Sequence, residues 1–338
     1  MKSTMTSPAL PSTAAPGVRT LVTACALAAV MAVLAAGPWF IDFAQQRLAV
    51  EVLTVLSMAL AWNLLAGYGG LVAVGQHAFV GVGAYALFVL SNRLALNPWL
   101  VLPLSTAAAV LFARVCAWPL FRLSGAYFAV GTWVLAEMLR ILAQNSEWLG
   151  AGAGMPLETM SEVDRWTRNA GVYWAALAVG VAALATVRAV LRGRLGLALM
   201  SVRDGEVAAA ACGVPVRRTK LQVWLIAAAL SGAAGAVAYM NTMQVSPDAT
   251  FSLNWTAAAI FISVLGGIGT LEGPLLGTVL YFVLRQWFSE YGAWYLIGMG
   301  VLAIATMVLL PGGVWSFFTQ RWDLDPFRLR RRTPRAPD

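Results

Sequence analysis

The fold class this sequence predicts is all-α: a polytopic integral membrane helix bundle of about ten transmembrane helices (roughly 8–10) with both termini cytoplasmic. Three observations predict it. The 338 residues are 60% hydrophobic and 11% charged, with a mean hydropathy of +0.74, whereas soluble domains average about 45–50% apolar residues even with glycine included. The apolar runs are continuous and about 20 residues long, the length a helix needs to cross hydrocarbon, unlike the alternating segments of a β-barrel. The basic residues also gather on one side of the resulting topology, as they do in cytoplasmic loops.

Taken in order, residues 1–20 are a polar, Pro/Ser/Thr-rich cytoplasmic segment carrying Lys2 and Arg19. The run 21–41 is longer than the apolar core of a signal peptide, about 7–15 residues, and reads as a retained first span. Further spans are predicted at 48–66, 71–90, 98–118, 125–143, 171–191, 221–243, 255–268, 274–288 and 293–310, so the transmembrane domain covers 21–310. The pair at 255–288 fits either two spans or one broken one, because its join, GGIGTLEGP, is rich in Gly and closes on Pro. With the termini inside, Arg47, Arg93, Arg140, Arg165, Arg168 and Arg285 lie outside, and the rest of the 23 Lys and Arg lie inside. The segment 144–170 is then an external loop with Glu147, Glu158, Glu162, Asp164, Trp148 and Trp166. The segment 192–220 is a basic cytoplasmic loop, and 311–338 is a basic tail suited to anionic lipid.

Much chemistry is excluded. There is no phosphate-binding loop, and the only lysines are Lys2 and Lys220, so ATP hydrolysis within this chain is not expected. One histidine and the scattered Cys25, Cys116 and Cys212 offer no metal site or disulfide framework. No enzyme activity, cofactor or metal is expected, and the net charge of +8 follows from the inside loops rather than from nucleic-acid binding. Ionisable residues in the spans, Glu51, Glu137, Arg140, Glu272 and Arg285, lie near helix ends or breaks. Ion-coupled carriers place such groups at mid-membrane, so uphill transport here would draw energy from another subunit.

The stretch GYGGLVAVGQHAFVGVGAY (67–85) holds six glycines and the single histidine, His77. Glycine in a membrane helix serves close packing or an unwound turn facing a cavity. Gly81 and Gly83 fit packing, while Gly69 and Gly70, at the inner end of a span, fit unwinding. Gln76 and His77 fit two readings: a hydrogen bond to a neighbouring helix, or a place on the solute path. A second segment, GGIGTLEGPLLGTVLY (266–281), repeats the device with Gly266 and Gly267. Between them Ala228, Gly232 and Ala236 stand four apart, a small-residue face for tight helix packing.

Within the inner loop, Ser201 and Asp204 have capping-box spacing, and Asp204 can itself cap the next turn. Glu206 falls in the first turn, where the helix dipole favours an acid. The alanines that follow, Ala209 among them, are strong helix formers. Gly213 can take the left-handed position after the helix, and Pro215 stops it. A short bounded helix results, either a connector or a knob that docks on a partner.

These pieces, with FRLSGAYFAVGTWVLAEM (121–138), GLALMSVRDGEVAAAACGV (196–214), LSGAAGA (230–236) and VLGGIGTLEGPLLG (264–277), resemble permease subunits of branched-chain amino-acid ABC importers of the LivH/LivM type, closest to LivM. The matching pieces cover most of residues 50–285 in family order. The resemblance implies a bacterial inner-membrane importer of branched-chain or related amino acids. It would comprise a second, LivH-like permease, two cytoplasmic ATP-binding subunits and an external or periplasmic solute-binding protein. It also implies that 204–213, with Asp204, Glu206, Ala209 and Gly213, is the helix that couples to an ATPase. One departure is that many members read Gly-His-Ala where this chain has Gly75-Gln76-His77, which turns the imidazole by about 100° on a helix. The rival class is a passive channel or facilitator for a small polar solute, which would need no ATPase dock.

Overall fold

The structure, a computed structural model, describes residues 31–288, 294–310 and 312–316. The expected segment 1–20, the first half of the span 21–41 with Cys25, and most of the basic tail lie outside the described residues. The chain divides after Asp42 into two units. In the first, 31–35 is helical and α1 (Gly37–Phe40) follows, with Pro38 in its opening turn.

In the second unit, α2 (Phe43–Asn63) widens at its end into one π turn, Leu64–Tyr68. Then come α3 (His77–Leu94), α4 (Pro98–Leu120) and α5 (Ala126–Gln144). A loop of short 3₁₀ turns with β1 (Met155–Pro156) leads to α6 (Arg165–Arg192). Next are α7 (Arg194–Asp204), α8 (Glu206–Ala211) and α9 (Val216–Thr242). After β2 (Gln244–Val245) and α10 (Pro247–Thr250) the chain closes with α11 (Leu253–Gly266), α12 (Gly273–Phe288) and α13 (Trp294–Leu309). The strands β1 and β2 pair antiparallel, Met155 opposite Val245.

Among the described residues, seven helices are long and apolar enough to cross a membrane. The architecture is therefore an all-α membrane bundle. Two sequence expectations need correction. The span expected at 71–90 begins only at His77, because 70–76 is not helical. The capping box expected at Ser201 and Asp204 does not form. Ser201 lies inside α7 and donates to Leu197 O (2.9 Å), Asp204 ends that helix, and Gly205 precedes α8 without a side-chain cap. True caps occur where the chain turns sharply: Asn97 Oδ1 accepts from Trp99 N–H (3.0 Å), and Asp164 Oδ2 from Trp166 N–H (3.0 Å).

The span pair 255–288 resolves into a hairpin. Gly273 lies against Gly266, Gly277 against the Ile262 carbonyl, and Tyr281 against Phe261 at 5.9 Å between rings, so α11 and α12 run antiparallel.

The centre of the second unit is α9, packed on α2, α3 and α4, with α2 in turn on α6 and α11. In lipid, apolar side chains gain little by leaving hydrocarbon, so close packing and hydrogen bonds must hold helices together. The small-residue face of α9 supplies the first. Gly232 meets the backbone of Gly83 on α3 and the Ala109 methyl on α4, and Gly235 meets the Val80 backbone. Trp224 supplies the second, donating Nε1–H to Ala113 O (3.0 Å) from a knot with Phe79, Phe121 and Phe128. By contrast α5 and α13 leave apolar residues exposed, among them Tyr127, Val134, Val301 and Ile304.

Candidate functional site

The site lies where α2 breaks. Past the π turn, Gly70 N–H donates to Ala66 O (3.1 Å) and Leu71 N–H to Leu65 O (3.0 Å), ending the helix. Gly70 takes φ +66°, left-handed backbone that other L-residues adopt only with strain. The chain then runs non-helical to Gln76, leaving backbone groups that a helix would have satisfied.

Side chains from three helices bond these backbone groups, and a fourth helix holds the Gln76 side chain. Trp62 on α2 donates Nε1–H to Ala73 O (3.0 Å). Thr132 Oγ1 on α5 accepts from Gly75 N–H (3.1 Å), and Thr256 Oγ1 on α11 accepts from His77 N–H (3.2 Å). Ser231 on α9 takes Nε2–H of Gln76 at 2.7 Å. The His77 ring also meets Thr256 Oγ1 through Nδ1 (2.9 Å), a contact of the kind named in the first of its two readings. Gln76 and His77 are both buried, and Gln76 Oε1 has no hydrogen-bond partner among the described residues. Gly75 is a close-approach position: a side chain there would overlap the Thr132 carbonyl.

The second glycine segment arrives at the same place. Gly266 ends α11 and Gly267 (φ +131°) turns the chain beside Gly312. Thr270 Oγ1 closes this turn, donating to Gly267 O (2.8 Å) and accepting from Gly273 N–H (3.0 Å). Asn63 fastens it to the first break, accepting from Gly269 N–H (2.9 Å) and donating Nδ2–H to Thr270 O (2.7 Å). Asn63 is fully buried with both ends of its amide in use.

Against this junction sits α7. Its Leu199 side chain lies over Gly69, and a Cβ on that glycine would stand 3.0 Å from Leu199 Cδ1. Its Arg203 stem passes Gly70, and the guanidinium donates Nη1–H to Gly67 O (2.9 Å) while lying beside Gly269. The sequence singled out Gly69, Gly70, Gln76, His77, Gly266 and Gly267, and the structure brings the first and last pairs to one junction. It missed Asn63, Leu199, Arg203 and Thr270. A lone Asn in an apolar run and an Arg before an acid carried a signal, but the contact partners are up to about 200 positions apart.

The inner helix α8 follows α7 after Gly205 and packs against it. Gly213 (φ +82°) follows it, with Val214 N–H on Ala209 O and Gly213 N–H on Ala210 O, both 3.0 Å, a Schellman close. Ala209 is buried, while Val207 is 86% exposed and Ala208, Ala210 and Ala211 are exposed beside it. Glu206, in the first turn of α8, pairs within the chain with Lys220 near the start of α9. Asp204 is exposed and pairs with Arg203 (3.1 Å).

Residues 46–311 match the family described as "Branched-chain amino acid transport system / permease component". The chain is 27% identical over 314 residues to the "High-affinity branched-chain amino acid transport system permease protein LivM" of Salmonella typhimurium, a match over 85% of this chain and 74% of that protein. The Escherichia coli protein of the same name gives the same figures. The "Probable branched-chain amino acid transport permease protein LivM" of Methanocaldococcus jannaschii is 20% identical over 259 residues, 70% of this chain and 75% of that one. No solved structure matches.

Proposed function

We infer the function from the family to which this chain belongs, the permease components of branched-chain amino acid transport systems. The chain is a multi-pass subunit of an ABC importer in a bacterial inner membrane. It passes branched-chain or related amino acids inward from an external solute-binding protein. A second, LivH-like permease completes the path, and two cytoplasmic ATP-binding subunits supply the energy. About ten spans with both termini inside is the topology that the basic-residue bias supports.

One observation carries the mechanism: α7 touches the break in α2 directly, through Leu199 on Gly69 and Arg203 on Gly67 O and Gly70. In this reading α8 seats its exposed Val207 and alanines in an ATP-binding subunit, and Glu206 and Gly213 fix its aim. When nucleotide moves that subunit, α8 carries α7 with it, and α7 shifts the junction of the two glycine segments. Gly69, Gly70, Gln76, His77, Gly266 and Gly267 are then the mobile stretch beside the solute path. Asp204 and Ala209 belong to the lever, one at the hinge between α7 and α8 and one in the packed face of α8.

The test is at α8. Glu206→Arg puts two cations together at Lys220, and Gly213→Val forces a β-branched residue into left-handed backbone. Both variants are expected to reach the membrane while co-purifying less ATP-binding subunit, or hydrolysing ATP without uptake. Full assembly and normal import by both would reduce α8 to a connector and return ground to the passive channel.

A further inference from the structure

A cavity of about 720 Å³ opens between α2, α11, α12 and α13, away from the α7 junction. Its walls are mostly apolar, with Val55, Phe261 and Met299 among them, and Glu51 and Arg285 lie in the lining as a directly hydrogen-bonded ion pair. Glu51 lies eight residues into α2 from Phe43 and seventeen before Tyr68, about 25 Å along the helix from the end that α7 holds. In the topology above, that is the outer half of the bundle.

Charged side chains on membrane-spanning helices are costly, and they mark function more often than structure. The pair is only partly covered by its own chain, the side chains of Arg285 and Glu51 being 42% and 38% exposed, so a ligand in the cavity can reach both groups. A zwitterion offers one cation and one anion, so it can present the opposite charge to each member of the pair and bring no net charge into the cavity.

We propose that this cavity is a binding site for a zwitterionic α-amino acid with an apolar side chain. Glu51 takes its ammonium group, Arg285 its carboxylate, and the wall of Val55, Phe261 and Met299 its side chain. The proposal rests on the importer reading and adds to it a station on this subunit, at the end opposite the coupling helices. A phospholipid headgroup with ammonium and phosphate shares the charge pattern, and the experiment separates the two.

Ala257 lines the cavity and is exposed, so Ala257→Cys, in a chain with Cys25, Cys116 and Cys212 replaced by alanine, reports on occupancy in the assembled importer. The cysteine is expected to react with a hydrophilic maleimide, and millimolar leucine is expected to slow that reaction at least fivefold. 4-Methylpentanoate and 3-methylbutylamine, each lacking one charge, should protect far less. Adding Glu51→Gln should make 4-methylpentanoate as protective as leucine, and adding Arg285→Gln should do so for the amine. Protection by short-chain phosphatidylethanolamine but not by leucine would assign the site to lipid and overturn the proposal. So would equal labelling with and without leucine, or no labelling at all. Uptake measured on the same preparations keeps the readings apart: normal leucine import without protection sinks this site and spares the importer, while protection without import does the reverse.

Discussion

The break at 70–76 and the break at 267–272 both interrupt an apolar run and are linked through Asn63 at the end of α2, yet they are fastened in different ways. Side chains from α2, α5, α9 and α11 hold the first through Trp62, Thr132, Ser231 and Thr256. The second is closed by its own Thr270 and tied outward by Asn63. A shift of the first must therefore disturb four helices, whereas the second can move with the α11–α12 hairpin. Arg203 lies beside both, so a displacement of α7 reaches the bundle by a stiff route and a compliant one.

The largest effect expected from breaking this contrast is at Gly75. A side chain there meets the backbone of Thr132, which has no rotamer to yield, so Gly75→Leu should cost about 3 kcal/mol or more. The measurable outcome is loss of folded permease from the membrane. Gly70→Leu is the sharpening partner: its β-carbon meets the flexible Arg203 stem at 3.2 Å, and the backbone strain is about 1–2 kcal/mol. That variant should insert normally and lose most of its transport. Equal behaviour of the two would show that the first break is not stiffer at its centre than at its edge.

The outlines of this arrangement were legible in the sequence. Apolar run length placed the long helices of the second unit, apart from the connecting α7, and the glycine doublets at 69–70 and 266–267 marked where runs fail. The small residues of α9 announced a tight seam, and Gly213 with Pro215 bounded α8. The start of α3 was misplaced because Leu71–Val74 is as apolar as any span, and hydropathy does not distinguish a helix from a non-helical segment whose backbone buried side chains hydrogen-bond. The Ser201–Asp204 spacing misled for a related reason: a capping pattern acts only where a helix begins, and α7 had already begun at Arg194. The meeting of the two breaks was illegible, since it depends on Asn63 reaching residues more than 200 positions away.

Asn63 is the next largest. Asn63→Ala removes both hydrogen bonds between the breaks and leaves Gly269 N–H and Thr270 O without that partner. A cost of about 1–3 kcal/mol is expected, from the penalty on buried polar groups left unpaired. Thr270→Ala loosens the second break alone and should cost about 1 kcal/mol. Thermal unfolding of the purified complex orders the two. If Thr270→Ala is the more damaging, the second break and not the link is what the junction depends on.

The smallest effect on stability, and the most informative on transmission, is expected at Arg203. Arg203→Met keeps an unbranched stem beside Gly70 and removes the guanidinium that reaches Gly67 O. The side chain is 40% exposed and its pair with Asp204 is a surface one, so the loss should stay under about 1 kcal/mol. Leu199 would still press on Gly69, so α7 keeps its seat on the first break while losing its hold on the carbonyl and its place beside Gly269. ATP hydrolysis by the assembled importer should then continue near its normal rate, with fewer solute molecules moved per ATP. Arg203→Lys, which keeps a donor on a flexible stem, should recover part of that yield. A purely structural role for Arg203 predicts another pattern, in which hydrolysis and uptake fall together and track the melting temperature. An unchanged ratio of uptake to hydrolysis in Arg203→Met would show that Leu199 alone transmits the motion, and that the second break takes no part in it.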